Sequence, residues 1–340
     1  VAKPRENLSV DMNMLVDGEW KRDAYETTND EGAFQRQKTT FREWVEAGEG
    51  SEFPAESGRY HLYVSYACPW AHRTLVTRAL KGLEDEISVS VVDPYRRNDG
   101  WEFSPDKPGC TADAVTGADY LREVYVEADP EFTGRVTVPV LWDKERETVV
   151  NNESEEVMRM FDTAFDGIAE RDVTFYPEEY RDEVDDTIDA IYEPINNGVY
   201  RAGFAETQAA YEEAVTDLFD ALDRWEGVLA DKRYLCGPAL TEADFCMFTT
   251  LVRFDAVYAT HFKCNVRRVV DYPNLWNYLK ELYQLPGVAE TVRMDHIKEH
   301  YYRSHGDINP KRIVPKGPEL DFGEEHDRER LPGGPPEELR

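Results

Sequence analysis

One stretch of the chain combines the residue types of thiol chemistry at a spacing that could use them: Ser65-Tyr66-Ala67-Cys68-Pro69-Trp70-Ala71-His72-Arg73. It sets a single cysteine where an apolar strand pattern stops and a helical one starts. Unpaired N–H groups and the positive end of the helix dipole meet there, and both favour a thiolate over a thiol. A thiolate so placed is a nucleophile near neutral pH. Position 71 is Ala, so no resolving cysteine follows, and the implied chemistry is monothiol. A mixed disulfide forms with a small thiol, and a second small thiol releases it. The alternative is a buried, inert cysteine, the ordinary fate of an unpaired thiol. The later run Thr137-Val138-Pro139 favours the nucleophile, because a cis proline at the start of a strand is a functional exception to the rule against proline in strands. His72 is close in sequence, but helix geometry does not aim it at Cys68, so it reads as structural.

The elements around this motif follow from periodicity. Tyr60, Leu62 and Val64 alternate with His61, Tyr63 and Ser65, which predicts a strand. Ala71, Leu75, Val76, Ala79, Leu80 and Leu83 recur at helical spacing, with Pro69 suited to the first turn and Gly82 to the end. Residues 87–92 read as a second strand and 93–118 as a long loop. A short helix is expected at 120–127, strands at 136–142 and 148–150, and a helix leading from Asn152 to Phe165. The order β-α-β-α-β-β-α resembles a thioredoxin-type fold. Beyond about residue 170 the pattern is helical. One face is formed by Val184, Ile188, Ile191, Tyr192 and Ile195, and another by Tyr211, Val215, Leu218, Phe219, Leu222 and Trp225. Thr241-Glu242-Ala243-Asp244 resembles a capping box opening the apolar run 245–257. Helices are expected at 273–285 and 287–301. The division is 1–58 as an extension packed on the core, 59–170 as the thiol-binding domain, 171–303 as an all-helical domain, and 304–340 as a tail.

Composition bounds the partners. The chain has 340 residues with 69 Asp+Glu against 39 Lys+Arg, a net charge of −30. Such a field repels phosphate backbones and anionic lipid, so nucleic-acid and membrane-surface binding are not expected. The basic residues are 12 Lys and 27 Arg, and the acids are spread along the whole chain. An acidic, lysine-poor surface suits high intracellular salt, where counterions screen self-repulsion. No apolar run has the length of a membrane span, and the N-terminus lacks a signal-peptide core. The five cysteines are widely spaced without a C-x-x-C pair, which fits a reducing cytoplasm and no paired-cysteine zinc site. Scattered His and acids show no metal spacing.

Several segments together resemble the glutathionyl-hydroquinone reductases, the xi class of the glutathione transferase superfamily. They are Cys68-Pro69-Trp70-Ala71-His72-Arg73-Thr74, Gly100-Trp101, residues 133–143 (TGRVTVPVLWD) and Asn151-Asn152-Glu153-Ser154. In the helical half they are residues 196–204 (NNGVYRAGF), 253–258 (RFDAVY), 261–265 (HFKCN) and 296–302 (HIKEHYY). Ile308-Asn309-Pro310, Gly32-Ala33-Phe34-Gln35-Arg36 and Phe41-Arg42 fit as well. The resemblance covers roughly residues 12 to 320. It implies an α/β thioredoxin-like N-terminal domain followed by an all-α glutathione-transferase C-terminal domain. The implied activity is reduction of S-glutathionyl-hydroquinones to hydroquinones through a Cys68 mixed disulfide. Trp101, Arg135, Val136, Thr137, Val138, Glu153 and Ser154 match the family's glutathione site, and Tyr200, Tyr258 and Tyr301 its active-site tyrosines. Tyr200 would protonate the departing aromatic carbon, while Tyr258 and Tyr301 would donate hydrogen bonds to the sulfur and lower its pKa. The thiol cosubstrate would be glutathione or γ-glutamylcysteine, which share the γ-glutamyl end, with no metal. The family generally forms homodimers. Two alternatives share parts of this pattern: an omega-like thioltransferase or dehydroascorbate reductase, and a non-catalytic transferase-fold binding module.

Overall fold

A computed structural model describes residues 13–24, 27–48 and 50–340. A four-stranded mixed sheet carries the first half. β3 (Tyr60–Val64) lies between β4 (Ser88–Val91), to which it is parallel, and β5 (Val140–Asp143), to which it is antiparallel; β6 (Thr148–Asn151) closes the edge beside β5. Every residue of β3 and β5 is buried, as expected of strands covered on both faces. α1 (Pro69–Lys81), α2 (Leu121–Ala128) and α3 (Ser154–Thr163) supply the helices of this layer. Pro69 sits in the first turn of α1, and Gly82 ends it in the left-handed conformation, φ 67°. The predicted β-α-β-α-β-β-α order is therefore present.

One boundary differs. The strand expected at 136–142 begins only at Val140, because Pro139 has no N–H to give a ladder. The Val138–Pro139 bond is cis. Residues 136–138 lead into β5 outside the ladder and line the cleft described below.

The N-terminal segment is tied to this layer. A hairpin of β1 (Met14–Val16) and β2 (Glu19–Lys21) turns at Asp17-Gly18. Gly18 has φ 72°, and a Cβ there would collide with the Pro130 carbonyl. Beyond it, Phe41 stacks on Phe132 at 5.4 Å, and Val45 and Phe53 join the core.

The second half is helical. α4 (Arg181–Ile191), α5 (Gly198–Gly203), α6 (Gln208–Asp231) and α7 (Glu242–Arg253) precede α8 (Pro273–Tyr283), α9 (Val288–Thr291) and α10 (Met294–Ser304). Thr241 N–H donates to the Asp244 carboxylate at the start of α7, as the capping pattern predicts, and every residue of α7 is buried. The single helix expected at 287–301 is two. The Thr291 hydroxyl donates to the Val288 carbonyl and lies 2.7 Å from His72 Nε2, and the backbone leaves helical geometry at Val292 and Arg293. A threonine that bonds its own turn competes with helix propagation. Residues 304–340 pack on the helical half. Phe322 sits against Trp276 and Tyr283, and the fully buried Arg328 donates to the Leu229, Lys232 and Arg233 carbonyls at the end of α6. Among the described residues no helix is long and apolar enough to cross a membrane.

Candidate active site

A cleft of about 1270 Å³ opens between the sheet layer and the helical half, with Cys68 among its walls. Cys68 is the residue capping α1, extended at φ −78°, ψ 121°. The Ser65 carbonyl accepts from its N–H at 3.1 Å, which fixes the turn from β3 into the helix. Its Sγ lies 3.6 Å from the Val138 carbonyl, which accepts from the thiol just before the cis proline. Burial pushes the Cys68 thiol up from its ordinary pKa. Opposing this are the Ala71 N–H, the Arg253 charge, the Trp70 N–H and the Arg36 charge. The helix start thus works as the sequence implies, but against a desolvation penalty that the sequence did not reveal.

The three tyrosines come together at one point. Tyr200 on α5 places its hydroxyl 2.5 Å from that of Tyr301 on α10, and Tyr301 lies 3.0 Å from the hydroxyl of Tyr258. Burial raises the pKa of all three, so each is a neutral phenol near neutral pH. Tyr200 and Tyr301 line the cleft; Tyr258 is fully buried behind them. In the structure the three hydroxyls bond one another. A turn at Phe254–Tyr258 that continues α7 stacks the Tyr258 ring on Phe262 at 5.5 Å and points its hydroxyl at Tyr301.

The residues matched to a thiol cosubstrate line the same cleft: Trp101, Arg135, Val136, Thr137, Val138, Glu153 and Ser154. Glu153 caps α3 and Ser154 opens it. Glu153 Oε2 accepts from the Thr39 hydroxyl at 2.9 Å, and its N–H donates to Asn151 Oδ1 at 2.7 Å. The Thr137 carbonyl accepts from Tyr125 Oη at 2.9 Å, and Asn152 donates to the same hydroxyl, so the segment before Pro139 is held from behind. Trp101 stacks on His300 at 5.2 Å.

Two arginines have positions that sequence reasoning did not assign. Arg253, at the end of α7, is fully buried. It donates to the Ala67, Tyr66 and Thr249 carbonyls and meets His72 Nδ1 at 3.0 Å. His72 therefore carries its proton on Nε2, toward Thr291, and burial holds its pKa well below the usual histidine range. It is structural, as expected. Arg36 reaches into the cleft from the N-terminal segment, its guanidinium carbon 4.1 Å over the Trp70 ring. Both arginines lie in segments that carried the resemblance, the one signal that could have found them. The other four cysteines are buried. Among the described residues no group of three or more His, Cys, Asp or Glu is placed to hold a metal.

Comparison with known proteins agrees over nearly the whole chain. Residues 67–164 match the family model for the glutathione S-transferase N-terminal domain, and residues 208–281 match the C-terminal domain. Glutathionyl-hydroquinone reductase YqjG of Escherichia coli is 51% identical over 94% of this chain and 99% of its own. Glutathionyl-hydroquinone reductase PcpF of Sphingobium chlorophenolicum is 50% identical over 90% of this chain and 96% of its own. Among solved structures, the xi-class transferase of Natrialba magadii is 64% identical, covers 95% of this chain and 98% of its own, and superposes with a TM-score of 0.90. The glutathione-bound structure of YqjG covers 93% of this chain and 99% of its own at 49% identity, with a TM-score of 0.85.

Proposed function

The chain belongs to the glutathionyl-hydroquinone reductases, the xi class of the glutathione transferase superfamily, and we propose that Cys68 carries its reaction. The enzyme reduces S-glutathionyl-hydroquinones to hydroquinones, with glutathione as the thiol cosubstrate. In the first step the Cys68 thiolate attacks the glutathione sulfur and an S–S bond forms. The C–S bond breaks with its electron pair left on the ring, and the carbon that carried the sulfur gains the Tyr200 proton. In the second step a glutathione thiolate attacks the mixed disulfide, giving oxidised glutathione and the Cys68 thiolate.

The observation that carries this reading is the opening of Cys68 and the paired Tyr200 and Tyr301 hydroxyls onto one cleft. Tyr200 is the phenol that lines the cleft, and Tyr301 stands ready to replace its proton; burial raises its pKa and opposes the donation, which the Arg36 charge partly offsets. Arg135 would meet a carboxylate of the thiol, and the Val138 backbone would pair with its peptide. Glu153 and Ser154 would take the charged γ-glutamyl end, and Trp101 would wall the thiol site. The same grip accepts γ-glutamylcysteine. The reading includes a cytoplasmic homodimer.

Cys68→Ala tests it. The variant should bind substrate but not turn it over, and wild-type protein quenched with one equivalent of glutathionyl-hydroquinone should gain the mass of one glutathione on Cys68. Near-normal turnover by the variant would refute the scheme. Faster reduction of hydroxyethyl disulfide than of the hydroquinone conjugate would favour a general thioltransferase instead.

A further inference from the structure

Arg36 has an arrangement that the steps above do not use. Its guanidinium carbon lies 4.1 Å over the Trp70 ring, 5.1 Å over Tyr200 and 5.3 Å over Phe34. Its Nε donates to the Asn197 side-chain carbonyl at 3.2 Å. Its Nη2 is sealed from solvent and has no hydrogen-bond partner among the described residues. Rings attract a cation but do not satisfy N–H donors, so a buried donor is left aimed without an acceptor. Two neighbouring cations of the cleft differ: Arg42 is paired with Glu156, and Arg201 with Asp217. Phe34, Phe204 and Tyr200 form stacked walls beside Arg36, and all of them line the cleft with Cys68. A flat aromatic ring bearing an oxygen anion fits a slot made of stacked rings and one unpaired cationic donor.

We propose that Arg36 binds a ring oxygen of the hydroquinone and holds it as the phenolate while the C–S bond breaks. This rests on the function proposed above. The ring hydroxyl loses its proton to solvent. The oxygen's electron pair moves into the ring, and the carbon bearing sulfur takes the Tyr200 proton, giving a dienone. The Cys68 thiolate then forms the S–S bond, and the C–S pair restores the aromatic phenolate beside Arg36. Without a cation at the oxygen the ring hydroxyl stays protonated near neutral pH, and the carbon of a neutral phenol accepts a proton far less readily than that of a phenolate. The Arg36 charge also favours ionisation of Cys68 and Tyr200, so a test must separate its effect on the ring from its effect on the thiol.

Full-length Arg36→Gln and Arg36→Lys serve, with two substrates: a glutathionyl-benzohydroquinone, and hydroxyethyl disulfide, which has no ring oxygen. Arg36→Gln should lower kcat/KM for the hydroquinone conjugate by about 10- to 100-fold more than for the disulfide, the worth of one charge-assisted hydrogen bond. Arg36→Lys should recover part of the difference. Equal losses on both substrates would overturn the proposal and leave Arg36 acting on the thiol alone. A second measurement needs no turnover. Bound 4-nitrophenol, whose phenolate absorbs visible light, should titrate at lower pH in wild type than in Arg36→Gln; identical titrations would overturn the proposal. Failure of the wild type to turn over the conjugate would instead strike the function from which the proposal starts.

Discussion

Replacing Arg253 by Met separates the charge that supports the Cys68 thiolate from the geometry that places it. The guanidinium is fully buried and donates to the Ala67 carbonyl at 3.0 Å, the residue preceding the cysteine. A unit charge at an effective dielectric of about 20 is worth about 4 kcal/mol at roughly 4 Å and less with distance, and the Arg253 charge favours the Cys68 thiolate. The Cys68 titration should therefore rise in the variant. Stability falls as well, because three buried carbonyls lose their donor at about 1–3 kcal/mol each. Arg253→Lys, which keeps the charge and loses the fork, is the paired control: it should be destabilised with a smaller rise in titration. The assay is the pH dependence of iodoacetamide alkylation, read by mass on the intact protein. Cys68 dominates that signal, since the other four cysteines are buried and burial pushes their thiols up, Cys236 to about 11 and Cys110 and Cys246 to about 12. A folded Arg253→Met protein that alkylates with the wild-type midpoint would refute the argument.

Two further outcomes follow from the same geometry. Tyr301→Phe removes the hydroxyl that joins Tyr200 and Tyr258; it should cost about 1–3 kcal/mol in urea unfolding and slow hydroquinone release. It should leave the Cys68 alkylation midpoint in place, because these hydroxyls bond one another; a shift of a full pH unit would put Tyr301 back on the sulfur. His61 is buried and held at a pKa of about 4 by desolvation, so the unfolded chain takes up its proton first as pH falls below the usual 6.5. Its contribution is present above pH 6.5 and is lost at about 1.4 kcal/mol per pH unit on acidification, roughly 3 kcal/mol by pH 4. His61→Phe should lack that loss, so denaturation midpoints at pH 7 and pH 4.5 should converge between variant and wild type; parallel curves would contradict the assignment.

The parts of the site that could be read in the sequence are those set by neighbours along the chain. Cys68 is one, because an alternating run, a proline and a helical run fix a strand–turn–helix over residues 60–81. The helix start at Glu153 and Ser154, with acids in its first turn, is another, although only the resemblance gave those two residues a role. The parts that could not be read are set by side chains far apart in sequence. Arg36 meets Asn197 and Arg253 meets Ala67, and no periodicity encodes either. The resemblance named Tyr258 and Tyr301, but that their hydroxyls meet each other depends on packing between segments far apart in sequence, such as the Tyr258 ring on Phe262. Arg328 makes the same point in the tail. By type and setting it reads as a surface charge, yet it closes three helix-end carbonyls in the interior.

Charge is where fold and function press against each other. With 69 acidic residues against 39 basic ones the surface repels anions, yet the proposed substrate carries carboxylates and passes through a thiolate and a phenolate. The cleft departs from the rest of the chain: seven basic and seven acidic side chains line it, so it is balanced within a negative shell. The balance is not symmetrical in position. Arg42 and Arg201 neutralise carboxylates at the rim, while the cations that act on Cys68, Arg253 and Arg36, are bound to carbonyls or an amide and cancel no acid of the surface. A cation held by neutral groups keeps its full field for whatever anion forms beside it, and in a partly dry site that field is screened far less than at the surface. The acidic shell can therefore grow with its ionic surroundings without altering the chemistry, because the two charges that matter to the sulfur are wired to backbone and amide oxygens rather than to the acids around them.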